Sequence, residues 1–226
     1  MTDIFVSPHP DFTTADDARA RHLMVEGQLR PTKVTDRAIL AAMRDLPRER
    51  FLPPALASLA YIDADIALGG GRVMMKPLVI ARLLQLAGPV AGESALVVGA
   101  GTGYAAAVLA CCGLRVTALE NDPALLAIAR GAVGTGVELV AGTLTDGAAG
   151  SRFDVILIEG AVREIPPAFA AQLTRTGRLV TVMAAPNGAS YAVLAEPSGG
   201  ALRARPAFDA TTSLLPGLAP APSFAF

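Results

Sequence analysis

Three glycines at alternate positions close an apolar run in Ala95-Leu-Val-Val-Gly-Ala-Gly-Thr-Gly-Tyr104, and a carboxylate closes the next one, Val116-Thr-Ala-Leu-Glu120. These residue types suit the holding of a ligand. A glycine turn lets backbone come close to a bound group, and the helix that follows aims unpaired N–H groups at it. An acidic side chain about twenty residues further on falls where a ribose diol is held in a doubly wound sheet. The spacing is G-x-G-x-G, because Tyr104 stands where the dinucleotide fingerprint has its last glycine or alanine. That difference points away from nicotinamide and flavin and towards another adenosine-bearing cofactor, S-adenosylmethionine. Gly99, Ala100, Gly101 and Gly103 are then expected beside the amino-acid part of the cofactor, and Glu120 on the ribose hydroxyls. A tight strand-to-helix turn without a ligand has the same glycine pattern, so the pairing with Glu120 carries the inference.

A second group of residues could meet an acceptor. Glu159 follows the apolar run Val155-Ile-Leu-Ile158 at its C-terminal end, where ligands collect in open α/β sheets. It either faces an acceptor or is a solvated turn acid. In Gly71-Arg-Val-Met-Met-Lys-Pro77, Arg72 either pairs with an anionic substrate or lies on the surface, and Lys76 either attracts a carboxylate or is simply exposed before the proline. Met74 and Met75 either form a flexible apolar lid or fill the core. His9 and His22 have no metal-ligand spacing, so no metal site is expected, and no G-x-S-x-G or phosphate loop is present. No single residue presents itself as the catalytic one.

These groups need elements to position them. The first third is helical in pattern: Ala18 to Leu29, then Asp36 to Leu46 after a cap at Thr35, then Ala55 to Ala60. Gly69–Gly71 has the look of a flexible joint, and Pro77 suits the start of a helix through Leu86. From Ser94, apolar strands and helices alternate, which predicts a parallel sheet covered on both faces. Strands are expected at Ala95–Val98, Arg115–Leu119, Val137–Val140, Phe153–Ile158 and Gly177–Met183. Helices are expected at Gly103–Cys112, Pro123–Val133 and Pro166–Leu173, with a closing strand pair at Tyr191–Ala195 and Leu202–Phe208. Pro216 to Phe226, rich in Pro and Ala, is expected to run extended over the surface.

Composition narrows the function classes. A chain of 226 residues fits one generous domain or a core with an appended subdomain, and 52% hydrophobic residues exclude global disorder. A net charge of −1 without single-sign blocks gives no footprint for nucleic acid. Asp3, Asp11, Asp16 and Asp17 make the N-terminal stretch unlike a secretory signal. The uncharged run Ser94–Leu114 is broken by glycines, so a buried strand and helix are expected there and not a membrane span. Cys111 and Cys112 are neighbours with no other partner, which fits reduced core residues in a cytoplasmic protein.

The order of motifs resembles the protein-L-isoaspartate O-methyltransferase family from about Met24 to Met183. The likeness runs through Met24-Val-Glu-Gly-Gln-Leu-Arg30, Pro47-Arg-Glu-Arg-Phe-Leu-Pro-Pro54, Ala60-Tyr-Ile-Asp63, the Gly69–Gly71 joint and Pro77. It continues through the glycine loop, Phe153-Asp154, Ile165-Pro166-Pro167 and Gly177-Arg-Leu-Val180. The N-terminal set is the more specific, since the sheet motifs occur in many methyltransferases. The resemblance implies an α/β, Rossmann-like, S-adenosylmethionine-dependent methyltransferase sheet (residues 69–226) with an N-terminal helical cap (residues 1–68), one unit overall. It implies methyl transfer to the free α-carboxylate of isoaspartyl residues in damaged proteins. It implies that Asn121, Thr143 and Leu144 flank the adenine and that the acceptor lies between Arg72–Pro77 and Glu159.

The sequence departs from the family where chemistry concentrates. Family members usually have Gly-x-Thr-x-Ser-x-Pro after the joint; here Val73 replaces the threonine and Met75 the serine. Val97 stands where the strand before the glycine loop usually carries an acid, and Gly142-Thr143-Leu144 replaces the usual Gly-Asp-Gly. A carboxylate acceptor is already ionised at neutral pH, so catalysis rests on positioning and electrostatics, and one missing hydroxyl donor costs about two orders of magnitude in rate. Poor or absent transfer to isoaspartyl peptide is the expectation. The alternatives are a methyltransferase for another protein or small-molecule acceptor, and a non-catalytic binding or regulatory protein that kept the fold.

Overall fold

The computed structural model describes residues 14–185 and 188–218, so the readings placed on Asp3, His9, Asp11 and residues 219–226 lie outside the described residues. Helix α1 (Thr14–Leu23) runs into a π-helical stretch, Met24–Leu29, that turns Met24, Val25 and Leu29 inward. Helix α2 (Arg37–Asp45) buries Ile39, Leu40, Ala42 and Met43 on one face, as the spacing predicts. Its cap is Asp36, whose carboxylate accepts from the N–H groups of Ala38 (2.9 Å) and Ile39 (3.0 Å). The expected cap at Thr35 is therefore one residue early, because the Thr35 N–H donates instead to Gln85 Oε1 at 2.7 Å. Helix α3 (Pro77–Ala87) begins on its proline and stops at Gly88, which adopts φ 56°.

The glycine joint is more ordered than its composition suggests. Strands β1 (Ile66–Gly69) and β2 (Arg72–Met74) pair antiparallel, and Gly69, Gly70 and Gly71 supply the positive φ values (95°, 57° and 76°) that turn one into the other. Arg72 and Val73 thus lie on a strand.

Beyond α3 come β3 (Ser94–Val98), α4 (Tyr104–Cys111), β4 (Arg115–Glu120), α5 (Pro123–Ala132) and β5 (Val137–Ala141). Then follow β6 (Phe153–Val162), α6 (Ala168–Gln172), β7 (Leu173–Ala184), β8 (Ser190–Ser198) and β9 (Ala201–Asp209). The fold is α/β with a seven-stranded, mostly parallel sheet in the order β5-β4-β3-β6-β7-β8-β9, the last two strands antiparallel. Its central strands are apolar on both faces, as a covered parallel sheet requires. One cluster joins Val97, Val155 and Leu157 to α3, α4 and the early helices; the other gathers Leu96, Val98, Ile156, Ile158, Phe169 and Leu179.

The strand order reverses at β3, whose neighbours are β4 on one side and β6 on the other. Ligands bind such sheets in the crevice outside the carboxyl ends at this switch point. Two expectations fail nearby. Of Pro216–Phe226, expected to run extended over the surface, the described residues Pro216–Leu218 instead form a turn at this end of the sheet, with Leu218 buried beside Leu215 in the second cluster. Cys111 is exposed and Cys112 half-buried, so neither is a core residue, and both are free thiols. Among the described residues no helix is long and apolar enough to cross a membrane.

Candidate active site

The glycine loop is built by backbone bonds from the end of β4. The N–H groups of Gly99 and Ala100 donate to the Leu119 carbonyl at 2.9 and 3.0 Å, and Gly103 N–H closes the turn on Ala100 O at 2.8 Å. Gly99, Gly101 and Gly103 have φ of 67°, 58° and 90°, a region that other residues enter only with strain. The loop wraps the carboxylate of Glu120, which is fully buried. Gly101 N–H donates to Oε2 at 2.7 Å, and the N–H groups of Asn121 and Asp122 donate to Oε1 at 2.8 and 2.9 Å.

The remaining capacity of Glu120 is taken by a residue that the sequence places 48 positions earlier. Arg72 lies across the carboxylate in a two-pronged ion pair, Nη1 to Oε1 at 2.6 Å and Nη2 to Oε2 at 2.8 Å. Nη2 also donates to the Gly99 carbonyl at 2.8 Å. A carboxylate offers about four lone-pair positions. Five hydrogen bonds from Arg72, Gly101, Asn121 and Asp122 already converge on this one. In this conformation Glu120 has no acceptor left for a ribose diol. Arg72 is accordingly neither a surface residue nor a free partner for a substrate anion.

The other candidates separate. Met75 is fully buried, and its carbonyl accepts from Arg48 Nη2 at 2.6 Å, so its side chain fills core and does not face an acceptor. Val73 is half-buried on β2, opposite Ala67. Lys76 is half-buried, with its N–H held by Asp65 Oδ1 at 2.8 Å. Thr143 and Asn121 are exposed beside the buried Leu144. Tyr104 is buried against Phe51, edge to face at 5.3 Å, which explains why an aromatic replaces the small residue of a dinucleotide loop. Among the described residues no group of His, Cys, Asp or Glu is arranged to hold a metal.

Glu159 is buried and not a solvated turn acid, and its Oε2 has no partner among the described residues. It lies within the electrostatic reach of Arg72, Arg48 and Glu120. Burial raises its pKa to about 8, against the opposing pull of the Arg72 and Arg48 guanidiniums and with a smaller push from Glu120. A raised folded-state value means that the folded chain holds a proton the unfolded chain has released. The stabilisation is complete below the ordinary carboxyl range and is lost as pH rises through about 8. Glu159→Gln should remove that decline. Urea unfolding of wild type and variant from pH 5 to 9 should diverge by on the order of 3 kcal/mol, with the variant gaining as pH rises. Parallel curves would place the titration elsewhere.

Two residues of this region carry no signal of their role in the sequence. Arg48, within the Pro47–Pro54 motif, is fully buried, and Leu215 fills the crevice between Gly99 and Gly160. The only advance hint of Arg72 is a lone cation in an otherwise apolar run, which must find an anion if buried.

Comparison with known proteins supports the same picture. A family model described as protein-L-isoaspartate(D-aspartate) O-methyltransferase matches residues 19–203. A protein-L-isoaspartate O-methyltransferase of Methylorubrum extorquens (strain PA1) is 43% identical over 180 residues, 76% of this chain and 78% of that one. One from Koribacter versatilis (strain Ellin345) is 33% identical, covering 84% and 87%. A solved Plasmodium falciparum structure described by the same enzyme name, in complex with S-adenosyl-L-homocysteine, superposes with a TM-score of 0.74 at 17% identity. That alignment covers 87% of this chain and 98% of the other.

Proposed function

The chain belongs to the protein-L-isoaspartate O-methyltransferase family, and from that membership we propose that it methylates the α-carboxylate of isoaspartyl residues in protein or peptide acceptors, with S-adenosylmethionine as donor. The observation that carries this is the match of the family model over residues 19–203 of a chain that also keeps the glycine loop and Glu120 of the fold's ligand crevice. The donor supplies an electrophilic methyl group. The chain's share is to bind and orient it, and to exclude water.

The residues in this conformation do not fit the donor. Glu120 is saturated by Arg72, and a methyl group built on Gly99 would lie 2.8 Å from Leu215 Cδ2. What remains open is a depression of about 340 Å3 lined by Gly70, Arg72, Asn121, Asp122, Pro123, Pro216 and Gly217. A cytoplasmic location belongs to the same proposal, and the adjacent free thiols Cys111 and Cys112 are compatible with it.

A second reading has one specific observation behind it. The Arg72–Glu120 pair gives the crevice a stable filled form without ligand, as a non-catalytic member of the family would have. Label transfer from S-adenosylmethionine decides. Incorporation into an isoaspartyl peptide above that into its aspartyl isomer, slow but saturable in both substrates, is the expected result. No incorporation at millimolar donor would favour the non-catalytic reading.

A further inference from the structure

We propose that the side chain of Glu159 is the hydrogen-bond donor that seats the acceptor carboxylate, a role for which β2 supplies no hydroxyl. This rests on the reading of the chain as a carboxylate methyltransferase.

Glu159 stands where the acceptor must come. Ile158 pairs with Val98, so the next residues of the two strands, Glu159 and Gly99, lie level at the switch-point crevice. Alternation along β6 puts Glu159 on the sheet face of Leu157 and Ala161, the face against which Met75 and Tyr104 also pack. The side chains of Val73 and Met75, on the hairpin side, offer an acceptor no donor. Glu159 is 6% exposed, and its Oε2 is buried with no partner among the described residues. Buried polar atoms are rarely left in that state, and a ligand group is one way to satisfy them.

The neighbours decide which form the carboxyl takes. The charged groups within its reach are Arg72 on β2, Arg48 after α2 and Glu120 on β4. Arg72 is committed to Glu120 and the Gly99 carbonyl. Arg48 places Nε and Nη2 on the Ala60 and Met75 carbonyls, and its Nη1 is buried without a partner. Tyr104, whose ring lies under Arg48, is the titratable group on α4. The residues of β3 and β7 that pair at this end of β6, Val98 and Val182, carry no charge, and neither does Leu215 against Gly160. Desolvated and unpaired, Glu159 holds its proton up to about pH 8. A protonated carboxyl is an O–H donor.

Charge balance favours an anionic guest. Glu120 answers Arg72, but with Glu159 neutral no carboxylate among the described residues answers the buried Arg48. An entering carboxylate supplies the missing charge and accepts from Glu159, whereas an ionised Glu159 would repel it. No proton leaves Glu159 in the transfer. One acceptor oxygen takes its hydrogen bond, and the other forms the O–C bond as the electron pair of the C–S bond returns to sulfur.

The test is binding of an isoaspartyl peptide with a blocked N-terminus and no other titrating side chain, measured by calorimetry on the full chain with millimolar S-adenosylhomocysteine. Between pH 7 and pH 9 the protonated share of a group near pH 8 falls about tenfold, so the wild-type Kd should weaken by about tenfold. Glu159→Gln keeps a donor but cannot ionise; it should bind about threefold more weakly at pH 7 and no more weakly at pH 9. Glu159→Leu should bind at least about tenfold more weakly at both pH values. Formation of S-adenosylhomocysteine in turnover assays should repeat the pattern in KM. The wild-type pair of measurements decides even if the variants fold poorly. A wild-type Kd equal at pH 7 and 9, a decline that persists in Glu159→Gln, or a Glu159→Leu chain that binds as well as Glu159→Gln overturns the donor role and leaves the family activity standing. Absence of both peptide binding and turnover in all three chains overturns the donor role together with the reading on which it rests.

Discussion

Arg72→Ala should cost about 3–5 kcal/mol of folding stability, the usual penalty for removing one partner of a buried ion pair. The cost arises at Glu120. Its carboxylate is fully buried, and without the guanidinium it keeps only the Gly101, Asn121 and Asp122 N–H groups. Three backbone donors stabilise a carboxylate but do not neutralise it. For a chain of this size the melting temperature should fall by roughly 10 °C. Arg72→Lys should recover only part of this, because an ammonium cannot span both oxygens and the Gly99 carbonyl in one plane. Replacing both partners by apolar residues, Arg72→Met with Glu120→Leu, should be milder than either single change, since no charge is then left buried. Denaturant unfolding of wild type, Arg72→Met, Glu120→Leu and the double variant closes a double-mutant cycle. A loss under 1 kcal/mol for Arg72→Ala would mean that water reaches Glu120 and that the pair is not buried in solution.

The same experiment bears on ligand binding. Ligand stabilisation grows with ligand concentration over Kd, so a protein whose site is freed gains more from a given ligand. S-adenosylhomocysteine should therefore raise the melting temperature of Arg72→Ala by more than it raises that of wild type. Arg72 and the ligand compete for the same acceptors, and removing one favours the other.

Why the sequence disclosed Glu120 but not its partner is a matter of range. The glycine loop and Glu120 are separated by one helix and the hydrogen bonds that join them run between adjacent parallel strands, so spacing alone predicts their meeting. Strand and helix alternation after Ser94 is likewise local, and the seven strands of the sheet fall where apolar runs predict them. Arg72 reaches Glu120 only through the docking of a hairpin onto the sheet, and no periodicity encodes docking. Leu215 was obscured differently. Composition predicts a surface course from Pro216 onward, yet just before it Leu214 bridges to Ala161 and Leu215 packs against Gly99 and Gly160. Glu159 is legible as a carboxyl at the end of an apolar run, but its burial is not, since β6 continues four residues past Ile158 to Val162 and carries the carboxyl inward. Met75 was a fair candidate from motif alignment, but a serine there would open a cavity in the core of this chain.

Arg48→Met should lower stability by about 3 kcal/mol, and the loss should be concentrated where the early helices meet α3. Arg48 is fully buried, with Nε on the Ala60 carbonyl at 2.8 Å and Nη2 on the Met75 carbonyl at 2.6 Å. Its guanidinium also lies 4.5 Å over the Tyr104 ring, the residue that opens α4 after the glycine loop. One side chain therefore joins the Pro54–Leu59 turn, the strand that leads into α3, and the loop helix. Methionine matches its length and removes the cost of burying a charge, which burial already opposes by lowering the guanidinium pKa. It also leaves the Ala60 and Met75 carbonyls without their donors, and buried carbonyls lose more by being orphaned than an average bond contributes. The second effect should win, because two carbonyls are abandoned and the contact over the Tyr104 ring is lost with them. Hydrogen exchange should show faster opening of the Leu56–Ala60 and Met75–Ile80 amides with the β3 and β4 amides little changed. A variant as stable as wild type would mean that desolvation of the guanidinium cancels its two bonds, and that Arg48 sets the geometry of Tyr104 and the loop at no net gain in stability.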